Sequence, residues 1–160
     1  MSRILVTYFS ASGVTAKIAE QLSEAIGADL HEIRPKVLYT QADLDWRDEN
    51  SRSTIEMKNK SFRPEMANDK ISIAEYDTVF VGFPIWWYVA PTIINTFLEA
   101  HDFSGKTIVL FATSGSNKFG NTTEELKVSL PENAKVIEWE ILNGNYTNSE
   151  LSNMVKELNL

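Results

Sequence analysis

Two periodicities alternate along the chain. Continuous runs of β-branched, aliphatic and aromatic residues occur at 3–9 (RILVTYF), 78–83 (TVFVGF) and 107–112 (TIVLFA), with less apolar counterparts at 29–33 and 136–141. Runs of this length suit strands buried on both faces of a parallel sheet. After the first run, Val14, Ile18, Leu22 and Ile26 recur at i, i+4 spacing ahead of Gly27, which predicts an amphipathic helix with a glycine stop. Further helices are expected over 90–100, where Ile94, Phe97 and Leu98 are apolar, and over 123–130 and 149–158. This alternation implies parallel strands joined by right-handed crossovers. The expected fold is α/β: one doubly wound five-stranded parallel sheet with helices on both faces, spanning 1–160 as a single domain.

Residues 34–70 break the pattern. Pro, Asp, Asn, Ser and Arg dominate there, and only a short helix near 42–47 is expected. A connection this long without regular elements is usually functional or mobile. It reads as an irregular insert after the second strand, and its Asp43, Asp45, Trp46, Arg47, Arg52 and Arg63 suit a lid or a partner-docking surface. Arg47 and Arg52 have two readings: as a lid they hold an anionic substrate or cofactor phosphate, otherwise they belong to an ordinary ion-pair network.

Composition narrows the chemistry. With 43% hydrophobic and 23% charged residues in 160, the chain is that of a globular protein. A net charge of -7 opposes the phosphate backbone, so no nucleic-acid partner is expected. No apolar run approaches the roughly 20 residues of a membrane span, and the opening residues lead straight into a strand rather than a signal peptide, which predicts a cytoplasmic protein with no membrane partner. Cysteine is absent. That excludes disulfides, iron–sulfur clusters and cysteine nucleophiles, so any redox chemistry requires a bound cofactor. His31 and His101 have no metal-ligand spacing, and neither a metal nor a catalytic side chain is assigned.

In an open α/β sheet, ligands bind beyond the carboxyl ends of the strands, where strand order reverses. The loop after the first strand reads Ser10-Ala11-Ser12-Gly13-Val14-Thr15. It sets three hydroxyls and a glycine at the start of a helix, whose unpaired N–H groups and dipole favour an anion. With no Lys or Arg in the loop, neutral donors alone would hold a phosphate. An N-cap role for Ser12 or Thr15 explains one hydroxyl but not all three. The loop after the third strand carries Pro84, Ile85, Trp86, Trp87 and Tyr88, three consecutive rings that suit a flat apolar ligand. The alternative is that Trp86 and Trp87 seal core or helix contacts. Thr113, Ser114, Gly115, Ser116, Phe119 and Gly120 follow the fourth strand and fit either a ligand-ringing loop or a plain Gly/Ser turn.

These loops in this order resemble the flavodoxin family. The first is similar to the T/S-x-T/S-G-x-T phosphate loop that wraps the FMN phosphate, and GFPIWWYVAPTIINTFLEAHDFSGK with DLDWRDENSRS resembles a mostly bacterial flavodoxin-like subgroup. The resemblance implies strand order 2-1-3-4-5 and one FMN. It also implies Trp86 as the ring stacked on the flavin, Pro84 and Ile85 lending backbone atoms, and Phe119 as a ring for the other face. Electron transfer with a redox partner protein or small-molecule acceptor is the implied function. Where electron-carrier flavodoxins place a glycine whose peptide flips beside the flavin, Trp87 and Tyr88 stand here. That departure leaves room for the alternative, an NAD(P)H-dependent quinone or small-molecule oxidoreductase.

Receiver-type phosphoacceptor chemistry lacks its acidic residues, because Phe9-Ser10 and Phe83-Pro84 occupy those places. Serine hydrolysis lacks a G-x-S-x-G elbow.

Overall fold

The computed structural model of the chain describes residues 3–67, 71–114 and 118–160. In chain order the elements are β1 (Ile4–Tyr8), α1 (Val14–Ile26), β2 (Asp29–Glu32), a 3-10 turn (Ala42–Leu44), α2 (Arg52–Lys58), β3 (Thr78–Pro84), α3 (Thr92–Glu99), β4 (Thr107–Thr113), α4 (Thr122–Lys127), β5 (Lys135–Ile141) and α5 (Asn148–Lys156). The strands form one sheet in the order β2-β1-β3-β4-β5, and every neighbouring pair is parallel. The doubly wound parallel sheet expected from the alternation is observed, in the strand order that the family resemblance implies.

The period of two along each central strand divides the sheet between two cores. Leu5, Val79, Val81, Ile108 and Leu110 point to one face, where Ile93, Ile94, Phe97 and Leu98 of α3 and Leu126 of α4 cover them. Val6, Tyr8, Phe80, Val109 and Phe111 point to the other, under Ile18 and Leu22 of α1 and Leu151 and Val155 of α5. Each such fully buried large side chain contributes about 1.5–3 kcal/mol of transfer free energy. Gly82 is dictated by this packing, since a Cβ there would lie 2.2 Å from the Phe111 ring.

Two boundaries differ from expectation for backbone reasons. The helix expected from 90 begins at Thr92, because Pro91, with φ -58° and ψ 146°, holds the capping position and keeps the preceding residues extended. The insert is more regular than its sequence suggests. It closes on itself through an antiparallel bridge between Pro35 and Met66 and contains the helix α2, while only a 3-10 turn forms over Ala42–Leu44. The helix α2 eluded hydrophobic periodicity because its buried residues are Ser53, Thr54 and Glu56, whereas Ile55 faces solvent. Its one sequence signal is Ser51, whose side chain caps the helix by accepting from the Thr54 N–H.

The insert is fastened to the body. Arg63 Nε pairs with Glu99 Oε1 of α3 at 3.0 Å, and Lys60 Nζ with Glu125 Oε1 of α4 at 2.6 Å. Tyr39 and Met66 pack against the α3-side core. Among the described residues, no helix is long and apolar enough to cross a membrane.

Candidate functional site

Strand order reverses between β1 and β3, so the crevice of this fold opens above their carboxyl ends, flanked by β4. The three loops singled out in the sequence leave these strands at that edge. Sheet register locks their roots together: the Phe9 N–H donates to the Gly82 carbonyl at 2.9 Å, and the Ile85 N–H to the Thr113 carbonyl at 3.0 Å.

The first loop is ordered from within. Ser10 Oγ accepts from the Gly13 N–H at 3.0 Å, and Gly13 sits at φ 95°, a left-handed conformation that glycine adopts without steric penalty. Thr15 is buried, and its Oγ1 lies 2.8 Å from Thr113 Oγ1 at the end of β4, joining the first loop to the third. Ser12, Gly13 and Val14 face solvent. No side chain caps α1 and no acid stands in its first turn, whereas Ser51 and Thr147 cap α2 and α5. The amino end of α1 therefore presents N–H donors, a positive dipole and neighbouring hydroxyls to a bound anion.

The second loop folds back as a tight turn. Trp86 and Val89 exchange backbone hydrogen bonds of 2.9 and 3.1 Å, and the two residues between them, Trp87 and Tyr88, have φ values of 48° and 68°. Positive φ at both central residues marks a type I′ turn, normally built from Asn and Gly. Two aromatic residues held there cost about 1–2 kcal/mol each, strain of the kind that collects at functional sites. The turn sets the neighbouring rings apart. Trp86 is half-buried, edge-on to Phe9 at 5.8 Å and to Tyr39 at 5.5 Å, while Trp87 and Tyr88 are 40% and 63% exposed. Of the two residues expected to lend backbone atoms, Pro84 has no N–H and the N–H of Ile85 donates to the Thr113 carbonyl.

The third loop leaves β4 beside Asn143, a residue that sequence reasoning missed. Asn143 Oδ1 accepts from the Ser114 N–H at 3.0 Å and its Nδ2 donates to the Ser114 carbonyl, so the end of β5 clamps the loop. Two residues after β5 is an unremarkable place for an Asn, and no local motif announces the clamp. Gly115 and Ser116 lie outside the described residues. Phe119 is buried, with its ring 6.5 Å from that of Phe83, so it is a core residue rather than an exposed plate in this structure. Gly120, at φ 53°, touches the second loop: a Cβ would lie 2.4 Å from the Tyr88 carbonyl oxygen.

The insert supplies a further wall. Tyr39 packs against Phe9 and Trp86, and its hydroxyl donates to Glu56. Burial first, then that hydrogen bond, pushes the Tyr39 phenol well above its ordinary value. The Arg52 guanidinium lies 3.7 Å over the Tyr39 ring, donates to Glu56 Oε2 at 2.9 Å, and donates to the Val37 and Leu38 carbonyls at 2.7 and 3.2 Å. Arg52 is thus a structural ion-pair and hydrogen-bonding residue, the second of its two sequence readings. Arg47 pairs with Asp45 at the surface. His31 and His101 flank Phe97, away from the three loops, and no group of His, Asp and Glu among the described residues is arranged to hold a metal.

No curated protein matches the chain. Two solved structures of inferred flavoproteins are 44% identical to it. That from Bacteroides eggerthii DSM 20697 has a TM-score of 0.89 over 100% of this chain and 99% of its own, and that from Bacteroides uniformis ATCC 8492 a TM-score of 0.87 over 97% and 98%. A flavoprotein from Lactobacillus acidophilus NCFM, solved in complex with FMN, is 26% identical with a TM-score of 0.65 over 88% of this chain and 92% of its own. The flavodoxin family model matches residues 3–158, and on that match the chain belongs to the flavodoxin family.

Proposed function

We propose that the protein binds FMN at this edge and takes part in electron transfer with a redox partner protein or a small-molecule acceptor. The observation that carries the reading is the first loop: an uncapped helix amino end, a left-handed Gly13 and three hydroxyls, with no basic side chain. A dianionic monophosphate suits such a set of neutral donors. The FMN bound to the Lactobacillus relative supports the choice of ligand. Residues 10–15 would hold the phosphate, and residues 84–88 with 113–120 would flank the ring system. In that role the half-buried Trp86 is the ring that lies against the flavin, and the exposed Trp87 and Tyr88 offer further apolar faces.

FMN, when bound, supplies reversible one- or two-electron redox chemistry. The chain's own part is to hold and orient it: the Thr15–Thr113 contact joins the first loop to the third, the Asn143–Ser114 contacts tie the third to the end of β5, and the strained turn sets the angle of the second. A second reading, an NAD(P)H-dependent quinone or small-molecule oxidoreductase, is favoured by that turn. With Trp87 and Tyr88 already at positive φ and no glycine between them, the peptide flip of electron carriers lacks its usual hinge.

The test is a visible absorption titration of purified protein with FMN, followed by stepwise anaerobic reduction. Binding with quenched tryptophan fluorescence is expected, and its absence would sink the proposal. Reduction in separate one-electron steps would favour the carrier. A single two-electron step, with oxidation of NADPH by quinone in the absence of added reductase, would favour the oxidoreductase.

A further inference from the structure

Asn143 is the only asparagine of the chain that precedes a glycine. The pair stands exposed in the loop after β5, where Gly144 has φ 94°. Among the described residues the Gly144 N–H donates to no backbone or side-chain acceptor, and a Cβ at Gly144 would meet nothing within 4 Å. The nitrogen beside the Asn143 carboxamide is therefore unengaged and sterically bare. Asparagine is a thermolabile residue because such a nitrogen can attack its neighbour's side-chain carbon and close an unstrained five-membered ring.

The hydrogen bonds of Asn143 favour that attack rather than block it. The Ser114 N–H donates to Oδ1 at 3.0 Å, and Nδ2 donates to the Ser114 carbonyl. Hydrogen bonds of this kind lie near the plane of the carboxamide, which leaves the two faces of Cγ to a nucleophile. The N–H on Oδ1 also stands where negative charge develops as the nucleophile adds, the placement that stabilises an oxyanion. These two bonds are, at the same time, the clamp that fastens the third loop to the end of β5.

We propose that Asn143 is a self-modification site: ring closure with the Gly144 nitrogen removes its carboxamide nitrogen and unfastens the third loop from β5. The Gly144 nitrogen bonds to Cγ, the Cγ–Nδ2 bond breaks, and the Gly144 proton leaves with Nδ2 as ammonia. Water then opens the cyclic imide. Opening at Cγ leaves an aspartate; opening at the backbone carbon leaves an isoaspartate, whose main chain is one methylene longer. One water enters and one ammonia leaves, with no change of oxidation state. Either product lacks the Nδ2 donor and sets a carboxylate against the Ser114 carbonyl. The extra methylene has no room on the strand side, because Leu142 is fully buried and its N–H donates to the Ala112 carbonyl at 2.7 Å. The displacement passes to the loop that Asn143 holds. The chemistry needs no cofactor; its meaning for activity rests on the FMN-binding reading, since that loop also meets the first through Thr15 and Thr113.

The test ages the purified chain in mildly alkaline and in neutral buffer and follows peptide masses, Ser114 amide exchange and FMN affinity. The expected result is an amide-to-acid mass change and isoaspartate at Asn143, faster at the higher pH and faster than at the exposed Asn145, which precedes a tyrosine. Gly144→Ala, with a methyl beside the attacking nitrogen, should slow it. The modified protein should exchange the Ser114 amide about tenfold faster and bind FMN about tenfold more weakly. Asn143→Gln, whose longer side chain closes a ring far more slowly, should show no such change on ageing. Modification at Asn143 no faster than at Asn145, or fully modified protein with Ser114 exchange equal to that of fresh protein, would overturn the proposal. Failure of fresh protein to bind FMN would overturn the proposed function instead, and the mass and exchange measurements would still decide this one.

Discussion

Replacing Arg52 with alanine asks whether the insert is a fastened wall or loose surface. The side chain is 23% exposed and its partner Glu56 only 5%, so the substitution leaves a carboxylate out of water with the Tyr39 hydroxyl as its remaining donor. It also removes the donors to the Val37 and Leu38 carbonyls and the cation over the Tyr39 ring. Stranding one partner of a buried pair costs about 3–5 kcal/mol, whereas losing an exposed pair costs about 0–1 kcal/mol. With one partner buried and the other about a quarter exposed, we expect a loss of about 2–4 kcal/mol. Urea unfolding at unchanged m-value measures it. If the insert opens on its own, the loss appears instead as faster amide exchange in α2, by about 30-fold or more. Adding Glu56→Gln removes the stranded charge but still accepts from Tyr39, so the double variant should recover part of the loss. A loss below about 0.5 kcal/mol by both measurements, in the range of an ordinary surface change, would refute the argument.

Three further outcomes are expected. Gly120→Ala should destabilise more than Gly13→Ala in thermal unfolding: both sites have positive φ, but only at Gly120 does a Cβ meet backbone, 2.4 Å from the Tyr88 carbonyl oxygen. Equal effects would show that the two loops part easily. Thr15→Val should cost about 1–3 kcal/mol in urea unfolding by leaving the buried Thr113 hydroxyl without its partner, and should weaken FMN binding by loosening the first loop. Burial, followed by the charge of His31, holds His101 below its ordinary value of 6.5, so the unfolded chain takes up a proton first as the pH falls. Stability should decline as pH falls from 6.5 toward the folded-state value, and His101→Phe should flatten that decline in urea midpoints compared at about pH 7.5 and 5.5.

The architecture was legible in the sequence because the three central strands advertise their burial, while the half-exposed edge strands β2 and β5 left weaker runs. RILVTYF, TVFVGF and TIVLFA are runs of the kind covered on both faces of a parallel sheet, and the spacing of Ile18, Leu22 and Ile26 suits a helix that covers one face. The loop proposed to hold a phosphate was read from consecutive residues: hydroxyls, a glycine and the start of a helix. What consecutive residues could not reveal lies in contacts made at long range. The helix α2 buries Ser53, Thr54 and Glu56 and turns Ile55 to solvent, so it leaves no apolar stripe to read. The Asn143 clamp joins residues 29 positions apart, and the Thr15–Thr113 pair residues 98 apart. The division of labour among three adjacent rings, with Trp86 turned inward and Trp87 and Tyr88 outward, follows from a turn with two positive φ angles that neither residue type favours. Local propensity and periodicity record which residues are buried on a regular element; only the folded chain decides which buried polar group meets which, because those partners are brought together by packing and not by spacing.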